Sequence, residues 1–271
     1  MSWACEEVEG LRWWRAEPLA RLPWVTHGFS TRHGGTSEPP YAGLNLGLHV
    51  GDAEEAVLRN RQAAAETLGL GLEDLVCAEQ VHGAGVARVS PADRGRGARV
   101  FAEALPGADA LIAQAADLPP LLGLYFADCL SILIADTRHQ AVGLAHAGWR
   151  GTGEQIGAAT LKAMGDAFGT APEDCLVALG PHIRQCCYQV GAELAERFGG
   201  IPGAVASRGG SPYLSLEAVN LNTLLGAGVP RDRITLGSPC TCCSEELFFS
   251  YRRDGLTGRM GAFLSARAGS G

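Results

Sequence analysis

The sequence predicts an α+β fold with a mixed sheet, in one domain spanning residues 1–271. Apolar runs rich in Leu, Ile, Val and Ala, above all within Leu121–Gly153, are typical of buried strands. Helical segments lie among the strands, but the two do not alternate strictly, which favours α+β over a doubly wound fold. No repeat of fixed period occurs, and 271 residues, 46% of them hydrophobic, are enough to bury a core.

Charge and hydropathy argue against two classes of partner. The formal net charge is −7 and Lys and Arg form no cluster, so we expect no nucleic-acid binding, although a small phosphate-bearing ligand needs only a local cationic pocket. The first 21 residues carry acidic side chains where a signal peptide would carry basic ones, and they lack the apolar core of a signal peptide. The most apolar window, Leu118–Ala135, is interrupted by Pro119, Pro120 and Asp128, which argues against a membrane span. We therefore expect a cytoplasmic protein.

The N-terminal part begins with a variable lead, residues 1–23, in which Leu11–Arg15 is expected to form an edge strand. A strand then enters a loop rich in Gly, Ser, Thr and Pro, from Thr26 to Ser37. The Gly-rich backbone beside Arg32 has two interpretations: it receives an anion, or it is a plain surface loop.

The first long helix is predicted over Ala53–Leu68. Asp52 would be its N-cap and Glu55 its N3 residue, the pattern of a capping box. Arg59 and Arg61 lie on different faces of such a helix, so at most one of them is expected to point inward.

Further helices are predicted after the central hairpin. Thr152 is expected to cap a helix that ends near Phe168. Its positive end would lie near the Trp149–Arg150 turn, where it could help to hold an anion. Two more helices are expected over about 190–198 and 216–225.

The central hairpin carries two metal-capable side chains, Cys129 and His146. If Thr137 and Arg138 form a two-residue loop, Cys129 lies directly opposite His146 on one face, with Cβ atoms about 4.5–5.5 Å apart. A thiolate and an imidazole so placed could share a zinc ion or form a nucleophile–base pair. A slip of one residue would separate them.

The remaining cysteines and His82 give weaker signals. The chain has nine cysteines, and an odd number in an intracellular chain argues against a disulfide framework. The Cys240–Cys243 segment has no second matching pair at zinc-ribbon spacing, and most of these thiols are expected to be small buried hydrophobes. By spacing alone, His82 is expected to be a turn histidine before Gly83.

Several motifs nevertheless follow one another between His27 and Leu264, namely HGFSTRHGG, NLGLHVGD, QVHG, ADC, AHAGWRG, LGPHI with CCYQVG, CTCC with FFSYRRDG, and TGRMG. Together they resemble the YfiH purine nucleoside phosphorylase family (DUF152), formerly described as polyphenol oxidase or laccase-like. The resemblance implies a single domain built as a mixed β-sandwich flanked by helices.

The resemblance also implies a metal site and an activity. The histidine of QVHG, the cysteine of ADC and the histidine of HAGWRG would hold one zinc ion, and here they are His82, Cys129 and His146. The implied reactions are phosphorolysis of adenosine, inosine, guanosine and methylthioadenosine, with phosphate as co-substrate, and deamination of adenosine. Three protein ligands leave a fourth zinc position open, which lowers the pKa of bound water.

Two groups of residues are candidates for the remaining chemistry. Deamination requires a carboxylate acid–base, and the sequence leaves three candidates open: Glu79, Asp109 and Asp128. Phosphate and substrate binding is expected from guanidinium groups and one amide: Arg32, Asn45, Arg61 and Arg150.

Three other functions compete with this interpretation. A metal-independent cysteine hydrolase or deamidase would use Cys129 as nucleophile and His146 as base. A copper laccase needs many more histidines than the seven present, which are scattered without HxH pairs. In a non-enzymatic protein, zinc would only staple the fold or an interface, with Cys77 or a residue of 240–243 as fourth ligand.

Overall fold

Two six-stranded sheets organise the computed structural model, which describes residues 2–269. Its strands are β1 (Trp3–Val8), β2 (Leu11–Ala16), β3 (Val25–Ser30), β4 (Leu75–Cys77), β5 (Val86–Arg88), β6 (Ala110–Gln114), β7 (Leu121–Phe126), β8 (Leu130–Asp136), β9 (Ala141–Ala147), β10 (Cys175–Leu179), β11 (Val205–Arg208), β12 (Ser211–Leu214), β13 (Ile234–Thr235) and β14 (Met260–Ala266). Its α-helices are α1 (Glu17–Ala20), α2 (Glu54–Glu66), α3 (Trp149–Gly153), α4 (Ile156–Phe168), α5 (Ala192–Phe198), α6 (Leu216–Gly226) and α7 (Tyr251–Asp254).

Both sheets are mixed. The first sheet has the strand order β1-β2-β3-β14-β7-β4, antiparallel except for the β7–β4 pair. The second has the order β13-β10-β8-β9-β6-β5, antiparallel except for the β13–β10 and β6–β5 pairs. A separate ribbon pairs β11 with β12.

Alternating side chains divide the core into three layers. On β7, Leu122 packs between the sheets, while Leu121 packs against the outer cluster that α2 covers. On β8, Leu133 packs between the sheets, while Ile132 faces the outer cluster that includes α4 and α6 side chains. Because each face of each sheet is buried, nearly every position of the central strands is apolar. The mixed β-sandwich flanked by helices is therefore confirmed.

The predicted start of the first long helix is wrong. Helix α2 begins at Glu54 with Ala53 as N-cap, and no side chain caps it. The Asp52 carboxylate instead accepts hydrogen bonds from the Ser37 hydroxyl at 2.6 Å and the Asn45 amide at 2.8 Å. Its other oxygen accepts the N–H of Ala53 at 2.8 Å, so the carboxylate contacts the N-cap residue but caps no N–H inside the helix.

The helix expected from Thr152 to Phe168 is divided in two. Thr152 lies inside the short helix α3, and Gln155 interrupts the path with a left-handed backbone, φ 59°. The Thr152 hydroxyl accepts a hydrogen bond from the Asn220 amide at 3.0 Å, so it links α3 to α6 instead of capping a helix.

The register of the central hairpin differs from the predicted one by two residues. Asp136 pairs with Ala141, so the loop has four residues, 137–140, and His146 lies opposite Ser131. The cause is local, because the Asp136 carboxylate accepts hydrogen bonds from the backbone of Arg138 and His139 and holds the wider turn open. A shift of two residues preserves the face of each side chain.

The N-terminal lead forms a hairpin on the first sheet. A strand forms where Leu11–Arg15 was expected, but β1 lies outside it and is the edge. Trp13 on β2 is fully buried, which anchors this hairpin to the outer cluster of the first sheet. Within residues 2–269, no helix has both the length and the apolar character needed to cross a membrane.

Candidate active site

Three side chains from distant parts of the chain meet where the two sheets adjoin. The ligand atoms of His82, Cys129 and His146 all lie within 4.8 Å of one another. His146 is on β9, and Cys129 lies in the crossover from β7 of the first sheet to β8 of the second. His82 follows β4, in the loop that returns toward β5. The expected Cys129–His146 contact therefore forms despite the shifted hairpin register.

A buried carboxylate holds this cluster in place. Asp109 Oδ1 lies 2.9 Å from His146 Nδ1 and also accepts the backbone N–H of His82 at 2.9 Å. Its Oδ2 accepts the N–H of Gly83 at 2.8 Å. Asp109 thus orients two of the three ligands, and it leaves Nε2 of His146 free for the cluster.

Two residues here adopt a left-handed backbone that side chains disfavour. His82 has φ 65° and Asp128 has φ 86°. Such conformations cost of order 1–3 kcal/mol each and persist where surrounding contacts enforce them. Asp109 enforces the turn at His82, while Asp128 accepts hydrogen bonds from the hydroxyls of Thr241 and Ser250 and from the backbone N–H of Arg252.

The electrostatics of the cluster favour a thiolate. Burial alone would raise the pKa of Cys129, but the charge of His146 and hydrogen bonds from both histidines outweigh it and lower the pKa to about 6. Burial would likewise lower the pKa of His146, but the Cys129 thiolate and Asp109 raise it to about 9. The cluster therefore presents a negatively charged sulfur beside two imidazoles.

The donor set fits zinc. Two imidazoles and one thiolate are common zinc ligands, and three protein ligands leave one position open. A blue-copper site would share the two histidines and the cysteine but usually adds a weak axial methionine, and no methionine within residues 2–269 lines the cavity. Gly148 provides the necessary space, since a Cβ there would lie 3.1 Å from Cys129 Sγ and 3.3 Å from the His82 ring.

The cluster opens into a cavity of about 470 Å³. Besides the three side chains of the His-Cys-His cluster, it is lined by the aromatic residues Phe101, Tyr125, Trp149, Tyr188 and Tyr251, the charged or titratable residues His49, Glu79, Asp128, Arg252 and Arg259, and Gln80, Ala127, Ile183 and Leu216. A cavity of this size suits a small molecule, and this lining offers stacking surfaces, two guanidinium groups and one metal site.

The three candidate acid–base carboxylates occupy different environments. Asp109 is fully buried and engaged with His146, His82 and Gly83, so it is a positioning group. Asp128 lines the cavity, but both of its oxygens accept hydrogen bonds. Glu79 also lines the cavity, and only its Oε2 is engaged, by the Gly107 N–H at 2.8 Å. Glu79 is therefore the carboxylate with an oxygen left for a ligand.

None of the four residues expected to bind phosphate or substrate lines this cavity. Arg61 is buried and donates to three backbone carbonyls, and Arg32 packs over Phe249 and lines a separate surface pocket. Arg150 is exposed and stacks near Trp149. Asn45 is buried, and its Oδ1 accepts the backbone N–H of Arg259 at 2.8 Å. Asn45 therefore contacts the backbone of Arg259, whose side chain lines the cavity.

The residues expected from sequence to bind phosphate or substrate include neither of the two guanidinium groups of the cavity, Arg252 and Arg259. They also omit His49, an imidazole of the cavity wall whose pKa burial lowers to about 4. The signal for Arg259 was present in the TGRMG segment, where a charged residue directly precedes the buried strand β14. Arg259 Nη1 donates to the carbonyls of Thr257 and Gly258 at 2.9 and 3.0 Å, which restrains the guanidinium at the cavity wall.

Known proteins are similar to this chain over most of its length. Residues 26–267 match the model of a family described as multi-copper polyphenol oxidoreductase laccase. The purine nucleoside phosphorylase YlmD of Geobacillus stearothermophilus is 44% identical over 248 residues, which cover 89% of this chain and 89% of that protein. The adenosine deaminase RL5, from an unknown prokaryotic organism, is 34% identical over 235 residues, 84% of this chain and 88% of that protein.

A solved structure extends the similarity to the fold. The crystal structure of the hypothetical protein YfiH from Bacillus licheniformis superposes with a TM-score of 0.89 at 36% identity, covering 97% of this chain and 99% of that one. Together with the family model, which spans most of the chain, these matches show that the chain belongs to the YfiH (DUF152) family, whose model carries the laccase description.

Proposed function

We propose that the protein is a zinc-dependent purine nucleoside phosphorylase that also deaminates adenosine. Its substrates would be adenosine, inosine, guanosine and methylthioadenosine, with phosphate as co-substrate. The observation that carries the proposal is a single cavity joining the His-Cys-His cluster, aromatic walls and two guanidinium groups. The relatives named purine nucleoside phosphorylase and adenosine deaminase support both reactions.

In this proposal, His82, Cys129 and His146 hold one zinc ion. When bound, the ion would supply a Lewis acid with one position open to substrate or water. The chain's own contribution is to keep the ligands in place: Asp109 fixes the His146 ring and the His82 turn, and His146 stabilises the Cys129 thiolate. The laccase description of the family model does not fit this donor set, because multi-copper oxidation requires several histidine-rich sites.

Phosphate would be bound by Arg259 and Arg252. Arg259 is restrained by its bonds to Thr257 and Gly258, and Arg252 donates to the Gln189 carbonyl at 2.7 Å while stacking over Tyr188. Positive charge on the cavity wall attracts the phosphate dianion and favours its bidentate binding. Of the residues predicted from sequence, Asn45 would serve this site by fixing the backbone of Arg259.

Phosphorolysis requires attack of a phosphate oxygen on C1′ and departure of the purine as the C1′–N9 bond breaks. The aromatic side chains of the cavity would stack on the base. Glu79, with one oxygen left for a ligand, is the side chain we assign to proton transfer with the purine. The products are the free base and ribose 1-phosphate.

Chromatography of purified protein with adenosine, with and without phosphate, tests the proposal. Adenine and ribose 1-phosphate should form only with phosphate, whereas inosine should form without it. Cys129→Ala should lose the zinc ion of the His-Cys-His cluster and both activities while keeping the fold. A zinc-loaded wild-type sample that yields no product, or a Cys129→Ala protein that is fully active without that ion, would contradict the proposal.

One observation favours a second function. The lowered pKa of Cys129 and the raised pKa of His146 describe a thiolate–imidazolium pair, which is what a cysteine hydrolase or deamidase needs. The two functions differ in their response to metal removal. Activity that survives complete chelation of metal would favour the hydrolase, because its dyad needs no ion.

A further inference from the structure

A second cluster of metal-capable side chains lies apart from the His-Cys-His cluster. The sulfur atoms of Cys186, Cys187, Cys240 and Cys243 all lie within 4.8 Å of one another. Cys243 Sγ is 3.4 Å from Cys186 Sγ and 3.2 Å from Cys187 Sγ, and all four are free thiols. Neither the His-Cys-His cluster nor the cavity lining includes any of them.

Sheet order explains why these cysteines meet. Strands β10 and β13 are parallel neighbours, so their carboxyl ends, and the loops that follow them, lie at the same end of the second sheet. His182 and Cys240 pair as an isolated parallel bridge, which aligns the two loops. Cys240 and Cys243 have the C-x-x-C spacing of a metal-binding turn, and their missing second pair is the adjacent Cys186–Cys187 doublet.

Backbone hydrogen bonds prepare one of these sulfurs to carry negative charge. Cys240 Sγ accepts the N–H of Arg184 at 3.3 Å, and the N–H groups of Cys242 and Cys243 also point to it. A sulfur that accepts backbone N–H groups is typical of a metal-ligating thiolate.

The other thiols of the cluster lie mainly against one another, since Cys243 Sγ is within 3.4 Å of the sulfur atoms of both Cys186 and Cys187. Cys186 and Cys243 are exposed, so packing of small hydrophobes does not explain why these side chains converge. Metal coordination does, because a divalent cation at the centre would stabilise all four thiolates and release their protons.

We propose that Cys186, Cys187, Cys240 and Cys243 form a second metal site, a tetrathiolate site for Zn²⁺. A Zn–S distance of about 2.3 Å places sulfurs about 3.8 Å apart in a tetrahedron, close to the separations in the cluster. Four protein ligands leave no open position, so this site is structural and not catalytic.

Nearby guanidinium groups reduce the excess negative charge of such a site. Arg208 donates through Nη2 to the carbonyls of Gln185 and Cys186. Arg253 donates through Nη1 to the carbonyls of Thr241 and Cys242, both at 3.1 Å. Four thiolates and one Zn²⁺ carry a formal charge of −2, and these two cations lie against the backbone that presents the sulfurs.

The proposed site would stabilise one wall of the cavity by holding two loops together. Tyr188, which lines the cavity, directly follows Cys187. Thr241, between Cys240 and Cys243, donates its hydroxyl to Asp128 at 2.7 Å, and Asp128 also lines the cavity. Loss of this metal should therefore loosen the wall and raise KM for the nucleoside before it abolishes turnover.

Metal analysis of the full-length protein, purified under reducing conditions and supplied with Zn²⁺, tests the proposal. The wild type should hold two zinc ions per chain. Cys186→Ser/Cys243→Ser, which removes two exposed ligands, should lose one, and Cys5→Ser/Cys242→Ser should lose none. This test also separates the second site from the proposed function on which its KM effect rests. If the His-Cys-His cluster binds no zinc, Cys129→Ala will hold as many zinc ions per chain as the wild type, whereas Cys186→Ser/Cys243→Ser will still hold one fewer.

Two results would overturn the proposal: unchanged zinc content in Cys186→Ser/Cys243→Ser, or disulfide bonds among the four cysteines in the reduced preparation. Cobalt substitution in Cys129→Ala provides a measurement that does not depend on folding of the double variant. That protein retains no thiolate at the His-Cys-His cluster, so Co²⁺ bound to the four cysteines should give intense thiolate charge-transfer absorption. Absence of this band would equally reject the site.

Discussion

At the scale of single residues, Asp109 connects the metal cluster to the surrounding backbone. Its two oxygens accept hydrogen bonds from the His82 and Gly83 backbone and engage the His146 ring. A buried carboxylate with this role cannot be recognised from spacing, because its partners come from both sides of it in sequence. The left-handed backbone at His82 depends on the same carboxylate.

Asp109→Asn should weaken zinc binding by about 10- to 100-fold, the usual effect of losing a group that orients a ligand. The amide NH₂ would face an N–H donor, so the turn at His82 and the His146 ring would both be disturbed. Competition with a chromophoric chelator measures the affinity. Asp136→Asn is the matched control, since Asp136 pairs with His139 in the hairpin loop, and it should alter stability without altering zinc affinity.

Arg259→Ala should raise KM for phosphate about tenfold or more, because a hydrogen bond to a charged group contributes about 1.5–3 kcal/mol. Adenosine deamination consumes no phosphate, so its kcat/KM should change much less in this variant. Steady-state kinetics of both reactions measure the difference. Arg32→Ala serves as the control, since Arg32 does not line the cavity, and equal changes in the two variants would argue against phosphate binding by Arg259.

At the scale of elements, α2 is attached to the rest of the molecule through Arg61. The guanidinium donates to the carbonyl of Leu46 and to those of Gly97 and Ala98, each at 2.8 Å, and it stacks over Tyr125 at 4.3 Å. The helix periodicity correctly indicated that only one of Arg59 and Arg61 turns inward. A binding role had been expected for Arg61, but its contacts are those of a buried tether between α2 and two loops.

Arg61→Leu should lower the free energy of unfolding by about 3 kcal/mol or more, because it leaves buried carbonyls without donors. KM for phosphate should change little, since Arg61 does not line the cavity. Urea denaturation and steady-state kinetics measure the two effects. Arg59→Leu, on the exposed face of the same helix, should stay within about 0.5 kcal/mol of the wild type. A selective loss of phosphate affinity in Arg61→Leu would restore the binding role.

At the scale of the whole molecule, two mixed sheets bury their facing surfaces completely, and few polar groups share that interior. His27 on β3 is one of them, at 1% exposure, with Nε2 accepting the Ala16 N–H at 3.0 Å. Burial, and then the charge of Arg15, lowers the pKa of His27 to about 3. The folded protein therefore holds this imidazole neutral at pH values where the unfolded chain protonates it.

This shift makes stability depend on pH. The His27 contribution is complete above the unfolded pKa of 6.5 and is lost progressively as pH falls toward 3, because the unfolded state then binds a proton that the fold excludes. At pH 5 the loss should be about 2 kcal/mol. Chemical denaturation at about pH 7.5 and pH 5 measures this loss. Between these two pH values, the free energy of unfolding of His27→Gln should fall by about 2 kcal/mol less than that of the wild type. Equal losses in both proteins would contradict the assignment.

Much of the architecture was predictable because strand and helix periods are local properties. Continuous apolar runs identified β7, β8 and β9, and ordered motifs indicated the sandwich and the cluster of His82, Cys129 and His146. The predictions of the hairpin register and of the α2 N-cap were wrong because a polar side chain formed hydrogen bonds that the local sequence pattern did not indicate. Asp136 widened the hairpin turn, and Asp52 bonded to a loop instead of capping α2.

The sequence by itself determined which strands are buried on both faces and that Cys129 and His146 could share a metal, and the resemblance of its motifs to a known family added His82. Only the tertiary structure decided which distant loops share a site. In that structure Arg259 lines the cavity, Arg61 is buried in the interior, and Cys186 and Cys187 lie beside Cys240 and Cys243. The physical reason is that contacts between loops follow from sheet order, and sheet order depends on long-range strand pairing that local sequence patterns do not encode.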